Sequence, residues 1–147
     1  MPSVPLVYKL ALGMIPGVGD ITARKLVSYT GGVEALFRES YRNLTRIPGV
    51  GTALAGAVAG HEYLDAAARE AEFVERNKIK VFFYLDDDYP RRLAQCEDSP
   101  VTFYFRGNAD LHAPMMLSIV GTRHATQNGK ELCRKIVAGL AEKFPGL

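Results

Sequence analysis

Five residues near the C-terminal end of the sequence have the types and spacing of a phosphate-binding loop. They are Gly121, Thr122, Arg123, Thr126 and Gly129, between an apolar segment and a helical pattern. Amides and hydroxyls in such a loop can donate to an anion, and the next helix adds unpaired N–H groups and its positive dipole end. The Arg123 guanidinium can donate to two phosphate oxygens, which suits a polyanion. The GxGxxG fingerprint is absent, and a plain strand-to-helix turn with a surface arginine stays an alternative.

A pentapeptide that occurs twice is a second candidate for anion binding. Ile-Pro-Gly-Val-Gly occupies residues 15–19 and again residues 47–51. Because proline and glycine end a helix, each copy predicts a helix, a tight turn and a second helix. We expect solvent-facing amides and glycines that permit positive φ, including Gly19, so bulky substitution there is expected to destabilise the fold. The turn glycines are Gly17, Gly19, Gly49 and Gly51.

The two copies resemble tandem helix-hairpin-helix motifs, in which such a turn holds a nucleic-acid phosphate without reading sequence. Arg24 and Lys25 follow the first copy, whereas only Arg46 lies near the second. We therefore expect the first hairpin to be the better phosphate binder and the second to be largely a packing partner. A simple connector between helices remains the alternative interpretation.

Periodicity places these motifs on a two-part α+β chain. Residues 61–78 have a helical apolar stripe from which Phe73 departs, and the pattern then changes to strand-like runs at residues 79–85, 101–105 and 115–120. Thr126 is a predicted N-cap for a helix that ends near Lys143. We predict an all-α tandem helix-hairpin-helix domain over residues 1–78. The first part of an extended Rossmann-like α/β domain is predicted over residues 79–147.

Composition narrows the class of protein. The 147 residues are 48% hydrophobic and 23% charged with a net charge of +2, which argues against disorder and fibrous folds. No apolar run is long enough for a membrane helix and the N-terminus lacks signal-peptide character, so we expect a cytoplasmic protein. Two distant cysteines, Cys96 and Cys133, argue against a zinc site or a disulfide scaffold. Basic residues are in excess over residues 1–58 and 117–147, with an acidic middle.

Other residue clusters leave alternatives open. Asp86, Asp87 and Asp88 are candidates for the general base of a nucleotide or ribosyl-phosphate hydrolase, although three adjacent acids also suit a solvated strand end. The acid-rich helix at residues 61–78 would favour a protein-binding scaffold. Aromatic residues of the strand region offer stacking surfaces for bases, although strand aromatics usually belong to a core. These aromatic residues are Tyr89, Phe103 and Tyr104.

The order of motifs closely resembles the DNA-processing protein A (DprA/Smf) family. The resemblance rests on the paired hairpins, on Asp-Tyr-Pro-x-x-Leu at residues 88–93, on the segment 100–107, and on Val-Gly-Thr-Arg-x-Ala-Thr-x-x-Gly at residues 120–129. It implies a cytoplasmic, non-enzymatic protein that binds single-stranded DNA during natural transformation and helps load the RecA recombinase. No metal or other cofactor is implied, and Arg123 and its neighbours are the implied DNA site.

The resemblance also implies parts that the sequence does not contain. In the family, a Ser-Gly-x-Ala stretch, the rest of the sheet and the homodimer surface follow the first Rossmann helix. We therefore expect this chain to be an N-terminal fragment that binds DNA weakly on its own.

Overall fold

The computed structural model describes residues 4–144, and for Val4 the backbone only. Six helices precede the first strand, and the strand region adds one short helix before the last long one. The helices are α1 (Val4–Met14), α2 (Asp20–Thr30), α3 (Val33–Arg38), α4 (Tyr41–Leu44), α5 (Thr52–Ala59), α6 (Leu64–Arg76), α7 (Arg91–Ala94) and α8 (Gln127–Lys143). The strands are β1 (Lys80–Phe83) and β2 (Thr102–Phe105). This arrangement confirms the predicted α+β class.

The chain divides into two compact units, the first ending at Asn108 and the second beginning at Ala109. In the first unit, α1 packs against α6 and α3, and the two strands form an antiparallel pair. Its core is built mainly from leucine, valine and alanine side chains of α1–α6. Phe83 of β1 and Val101, just before β2, join that core. The strand pair is therefore packed onto the helices, because its inner face completes their apolar core.

The strand register gives the sheet two different faces. Phe82 pairs with Phe103 and their rings stack with centroids 4.9 Å apart, while Val81 pairs with Tyr104 on the other face. Tyr89 adds an edge-on contact to Phe103 at 5.7 Å. Aromatic pairs in these geometries stabilise a sheet face beyond the area that they bury.

The prediction of a third strand at residues 115–120 is wrong. Residues 115–120 contain no regular structure, and their side chains are exposed. Their apolar composition predicts burial, but a strand also needs a hydrogen-bonded neighbour. Within residues 4–144, β1 and β2 pair with one another, and no further strand is present to extend the sheet.

The prediction of a positive φ at Gly19 is also wrong. The left-handed residue of the first pentapeptide is Gly17 (φ 81°), whereas Gly19 is extended (φ −84°) and is the N-cap of α2. Val18 N–H donates to the Ile15 carbonyl at 3.1 Å, which makes residues 15–18 a turn with proline second and glycine third. The third position of such a type II turn requires the positive φ.

Candidate nucleic-acid interface

The predicted phosphate loop lies at the start of α8, in the second unit. Thr126 is the N-cap of α8, as predicted, and its hydroxyl accepts a hydrogen bond from the Gly129 N–H at 3.2 Å. A Cβ at Gly129 would lie 3.3 Å from the Thr126 hydroxyl, so the absence of a side chain gives this capping contact room. The residues from Gly121 to Ala125 precede the cap without regular structure and are exposed.

An open cleft of about 550 Å³ lies against this loop. Its lining includes Gly121, Thr122, Thr126 and Gly129, so four of the five predicted residues share one concave surface. Arg123 is exposed and lies in the same loop between two lining residues, but it is not itself part of the lining. The structure therefore brings the glycines and hydroxyls together and leaves the guanidinium at the side of the cleft.

Two cations that sequence reasoning did not assign to the site also line the cleft. Lys130 and Arg134 follow Thr126 at intervals of four residues along α8. Residues four apart on a helix lie on the same face, so this spacing was the available signal. His124 lines the cleft as well. The cleft thus combines hydroxyl donors, a helix N-terminus and two cations, which is a set that suits a phosphate group.

The two pentapeptide turns of the first unit have nearly identical conformations. Gly17 and Gly49 have φ values of 81° and 82°, and Gly19 and Gly51 are the extended N-caps of α2 and α5. In the second copy, Val50 N–H donates to the Ile47 carbonyl at 3.0 Å, as Val18 does to Ile15 in the first. Each turn follows a helix and leads into another, and its glycines are exposed.

The two basic residues that follow the first hairpin have different surroundings. Lys25 reaches the second hairpin, because its Nζ lies 3.3 Å from the position that a Cβ at Gly49 would occupy. Arg24 instead contacts the segment before β2: its Nη2 donates to the Ser99 hydroxyl at 2.6 Å and to the Ser99 carbonyl at 2.8 Å. The Arg24 guanidinium also lies over the Tyr84 ring, 4.5 Å from its centroid.

The segment before β2 is held by further side chains. The Val101 N–H donates to the Asp20 carboxylate at 2.7 Å, and the buried Tyr89 donates from its hydroxyl to the Pro100 carbonyl at 2.6 Å. The Tyr89 of the Asp-Tyr-Pro motif therefore has a structural role in this unit. Sequence reasoning missed these contacts because they join residues far apart in the chain.

Two of the three carboxylates proposed as a general base have lysine partners. The Asp86 carboxylate accepts two hydrogen bonds from Lys9 Nζ, at 2.6 and 2.7 Å, and Asp88 forms an ion pair with Lys80 at 2.8 Å. Among the described residues, no group of three or more histidine, cysteine or acidic side chains is placed to bind a metal ion. Within the same part of the chain, no helix combines the length and apolarity needed to cross a bilayer.

Comparison with known proteins identifies a family match over the second part of the chain. Residues 80–145 match the family described as DNA recombination-mediator protein A. Over these residues the chain is similar to the DNA-processing protein A (DprA/Smf) family, which supports the resemblance drawn from the sequence motifs. No solved structure matches the chain.

One relative of this chain is the DNA processing protein DprA of Streptococcus pneumoniae. It is 34% identical to this chain over 81 residues, which are 55% of this chain and 28% of the relative. The chain therefore spans less than a third of the length of this relative.

Proposed function

We propose that the protein binds single-stranded DNA without regard to base sequence, and that the loop at residues 121–129 holds a phosphate. The observation that carries the proposal is the cleft at the start of α8, which gathers four of the five predicted residues. This cleft lies within the segment that matches a recombination-mediator family.

The chemistry of the cleft suits a DNA backbone. The first amides of α8 have no partner within the helix itself, and the helix dipole adds positive potential at the same end. Lys130 and Arg134 line the cleft, and Arg123 at its side can reach a neighbouring phosphate of the same strand. None of these groups reads a base edge, so we expect binding to be nearly independent of sequence.

In this proposal the two pentapeptide turns are tandem helix-hairpin-helix units with an accessory role, within a domain over residues 1–78. Their matching turn conformations support that assignment. Residues 79–147 are proposed as the start of a Rossmann-like domain, supported by the N-capped helix that follows a glycine-containing loop. Among the basic residues near the hairpins, Lys25, beside Gly49, is best placed to contact a phosphate.

The family description also suggests a partner. A recombination mediator acts with a recombinase, so we propose that the full-length protein helps load a RecA-type recombinase on single-stranded DNA. We further propose a cytoplasmic homodimer that acts by binding, without catalysis and without a cofactor. The ion pairs of Asp86 and Asp88 favour this non-enzymatic proposal over the hydrolase alternative.

Fluorescence anisotropy with the full-length protein tests the proposal. Labelled single strands of different base composition should bind with similar Kd values, and log Kobs should fall linearly as log salt concentration rises. Binding that depends strongly on base sequence, or that is insensitive to salt, would contradict it. Release of base or phosphate from nucleotides, assayed in parallel, would instead support the hydrolase alternative.

A further inference from the structure

Four aromatic side chains of the first unit are exposed: Tyr29, Tyr41, Phe73 and Tyr104. Phe73 and Tyr104 have exposed arginines near them in the sequence. Phe73 on α6 is 46% exposed, and Tyr104 on β2 is 48% exposed. By contrast, Tyr89 is 4% exposed, and Phe103 packs against Phe82. The structure therefore buries Tyr89, partly buries Phe103 and leaves Tyr104 half exposed.

Glu70 connects the exposed rings of Phe73 and Tyr104. It lies one helical turn before Phe73 on α6, and residues three apart on a helix are neighbours. Burial, followed by the charge of Glu70 and a hydrogen bond to it, raises the pKa of Tyr104. Glu70 therefore lies near Tyr104 as well as beside Phe73.

The charges around Phe73 differ from those of α6 as a whole. A helix turns about 100° per residue, so Arg69, Arg76 and Glu70 lie within about 60° of Phe73, whereas Glu72 and Glu75 lie about 100° and 160° away. Among residues 4–144, Arg69 and Arg76 are exposed and form no ion pair. The face of α6 that carries Phe73 therefore has two arginines and one glutamate, so it is net positive on an otherwise acid-rich helix.

A third arginine lies on the strand side. Arg106 is exposed and follows Tyr104 by two residues, just after the end of β2. Side chains two apart along an extended chain lie on the same side. We define the α6–β2 aromatic patch as Phe73 and Tyr104 together with Arg69, Arg76 and Arg106.

We propose that the α6–β2 aromatic patch is a second contact surface for single-stranded DNA, on which unpaired bases stack while the three arginines neutralise the backbone. This inference rests on the proposed function and extends it from the loop at residues 121–129 to the first unit. Exposed rings interleaved with cations are the combination that binds single strands without sequence preference. Duplex DNA offers no exposed base faces, so the stacking contribution of the patch is confined to single strands.

Abasic oligonucleotides distinguish stacking from phosphate binding. In the full-length protein, Tyr104→Ala and Phe73→Ala should each weaken binding of a labelled oligo(dT) by roughly 5- to 100-fold. Binding of an abasic oligonucleotide of the same length should change less than about two-fold, because it keeps the phosphates and lacks the bases. Tyr41→Ala is the matched control, since Tyr41 on α4 is also 46% exposed. Equal losses on both oligonucleotides, or a loss no greater than that of the control, would overturn the proposal.

A tryptophan reporter gives an independent measurement. These 147 residues contain no tryptophan, so Tyr104→Trp introduces a tryptophan whose emission can be excited selectively over the tyrosines. Its emission should be quenched by oligo(dT) and much less by the abasic strand. If this variant binds oligo(dT) without a change in emission, bases do not stack at Tyr104 and the proposal is wrong. If Arg123→Glu abolishes binding while the patch variants bind normally, only the patch proposal fails; if the wild-type protein binds no single-stranded DNA, both proposals fail.

Discussion

Arg24 on α2 donates from Nη2 to the hydroxyl of Ser99 at 2.6 Å and to its carbonyl oxygen at 2.8 Å, across 75 positions of the chain. Ser99 is 3% exposed, so these contacts hold the segment that enters β2 against the helix that follows the first hairpin. One helical turn earlier, Asp20 accepts from the Val101 N–H at 2.7 Å. The first hairpin and the strand pair are thereby fixed to one another by polar contacts as well as by the core.

The hydrogen bonds between Arg24 and Ser99 predict that substitution of Arg24 lowers the stability of the fold. Arg24→Ala leaves the buried Ser99 hydroxyl and carbonyl without this donor, which should lower the free energy of unfolding by roughly 2 kcal/mol. Lys25→Ala, one position later, should change it by less than about 0.5 kcal/mol. Urea denaturation of both variants measures the difference. Similar stabilities for the two variants would mean that the Arg24 contacts contribute little.

Substitution by serine should have different effects on stability at the two glycines of the first hairpin. Gly17→Ser should destabilise by about 1 kcal/mol because a side chain is strained at a φ of 81°. Gly19→Ser should be neutral or stabilising by up to about 1 kcal/mol, since Gly19 is an extended N-cap and serine is a preferred N-cap residue. Thermal unfolding of the two variants tests the assignment. A greater loss at Gly19 would contradict the turn geometry described above.

The ion pair between Lys9 and Asp86 should contribute to stability. Its side chains are only 20% and 33% exposed, and Lys9 also lies 5.2 Å from the centre of the Phe83 ring. Asp86→Asn should lower the free energy of unfolding by about 1 kcal/mol, more than a surface pair provides. Asp87→Asn, at an exposed position, is the control. The two variants should differ at low salt in urea denaturation, and equal stabilities would refute a contribution from the pair.

Two tyrosines should make stability fall at alkaline pH. Burial raises the pKa of Tyr84, an effect that Arg24 partly offsets, and burial and Glu70 raise the pKa of Tyr104. Above the ordinary tyrosine value of 10.0, the unfolded chain loses these protons before the folded chain does, so the folded state is favoured less as pH rises.

The free energy of unfolding measured between about pH 9 and pH 11 checks this sign. Tyr84→Phe and Tyr104→Phe should each make the alkaline decline shallower than in the wild-type protein. Tyr41→Phe serves as the control for the loss of a tyrosine. A decline that is as steep in both variants as in the control would contradict the shifted pKa values.

Local sequence signals predicted the structure where backbone geometry decides it. The Thr126 N-cap and the end of α8 at Lys143 follow from capping and helical periodicity, and both are confirmed. Positive φ was expected at Gly19 as well as at Gly17, but only Gly17 has it, because the Pro-Gly pair is the centre of a type II turn. That signal was present in the sequence.

Contacts between distant segments were not predictable in this way. The hydrogen bonds of Arg24 to Ser99 and the approach of Lys25 to Gly49 both depend on how α2 packs against other segments. No local sequence pattern specifies that packing. The strand expected at residues 115–120 failed for a related reason, since apolar composition does not supply a pairing partner. For the candidate site, the loop residues were predictable from type and spacing. Lys130 and Arg134 could be assigned to the site only once the structure showed which face of α8 lines the cleft.

The central claim is that the loop at residues 121–129, and not the first hairpin, is the main phosphate site. Titration of labelled single strands with full-length Arg123→Glu and Lys25→Glu, at several salt concentrations, tests it most directly. We predict that Arg123→Glu weakens binding much more than Lys25→Glu and lowers the log–log salt slope by roughly 0.7 for each phosphate that the variant no longer neutralises. Equal losses, or a greater loss for Lys25→Glu, would assign the main site to the hairpins and leave the loop as a structural turn.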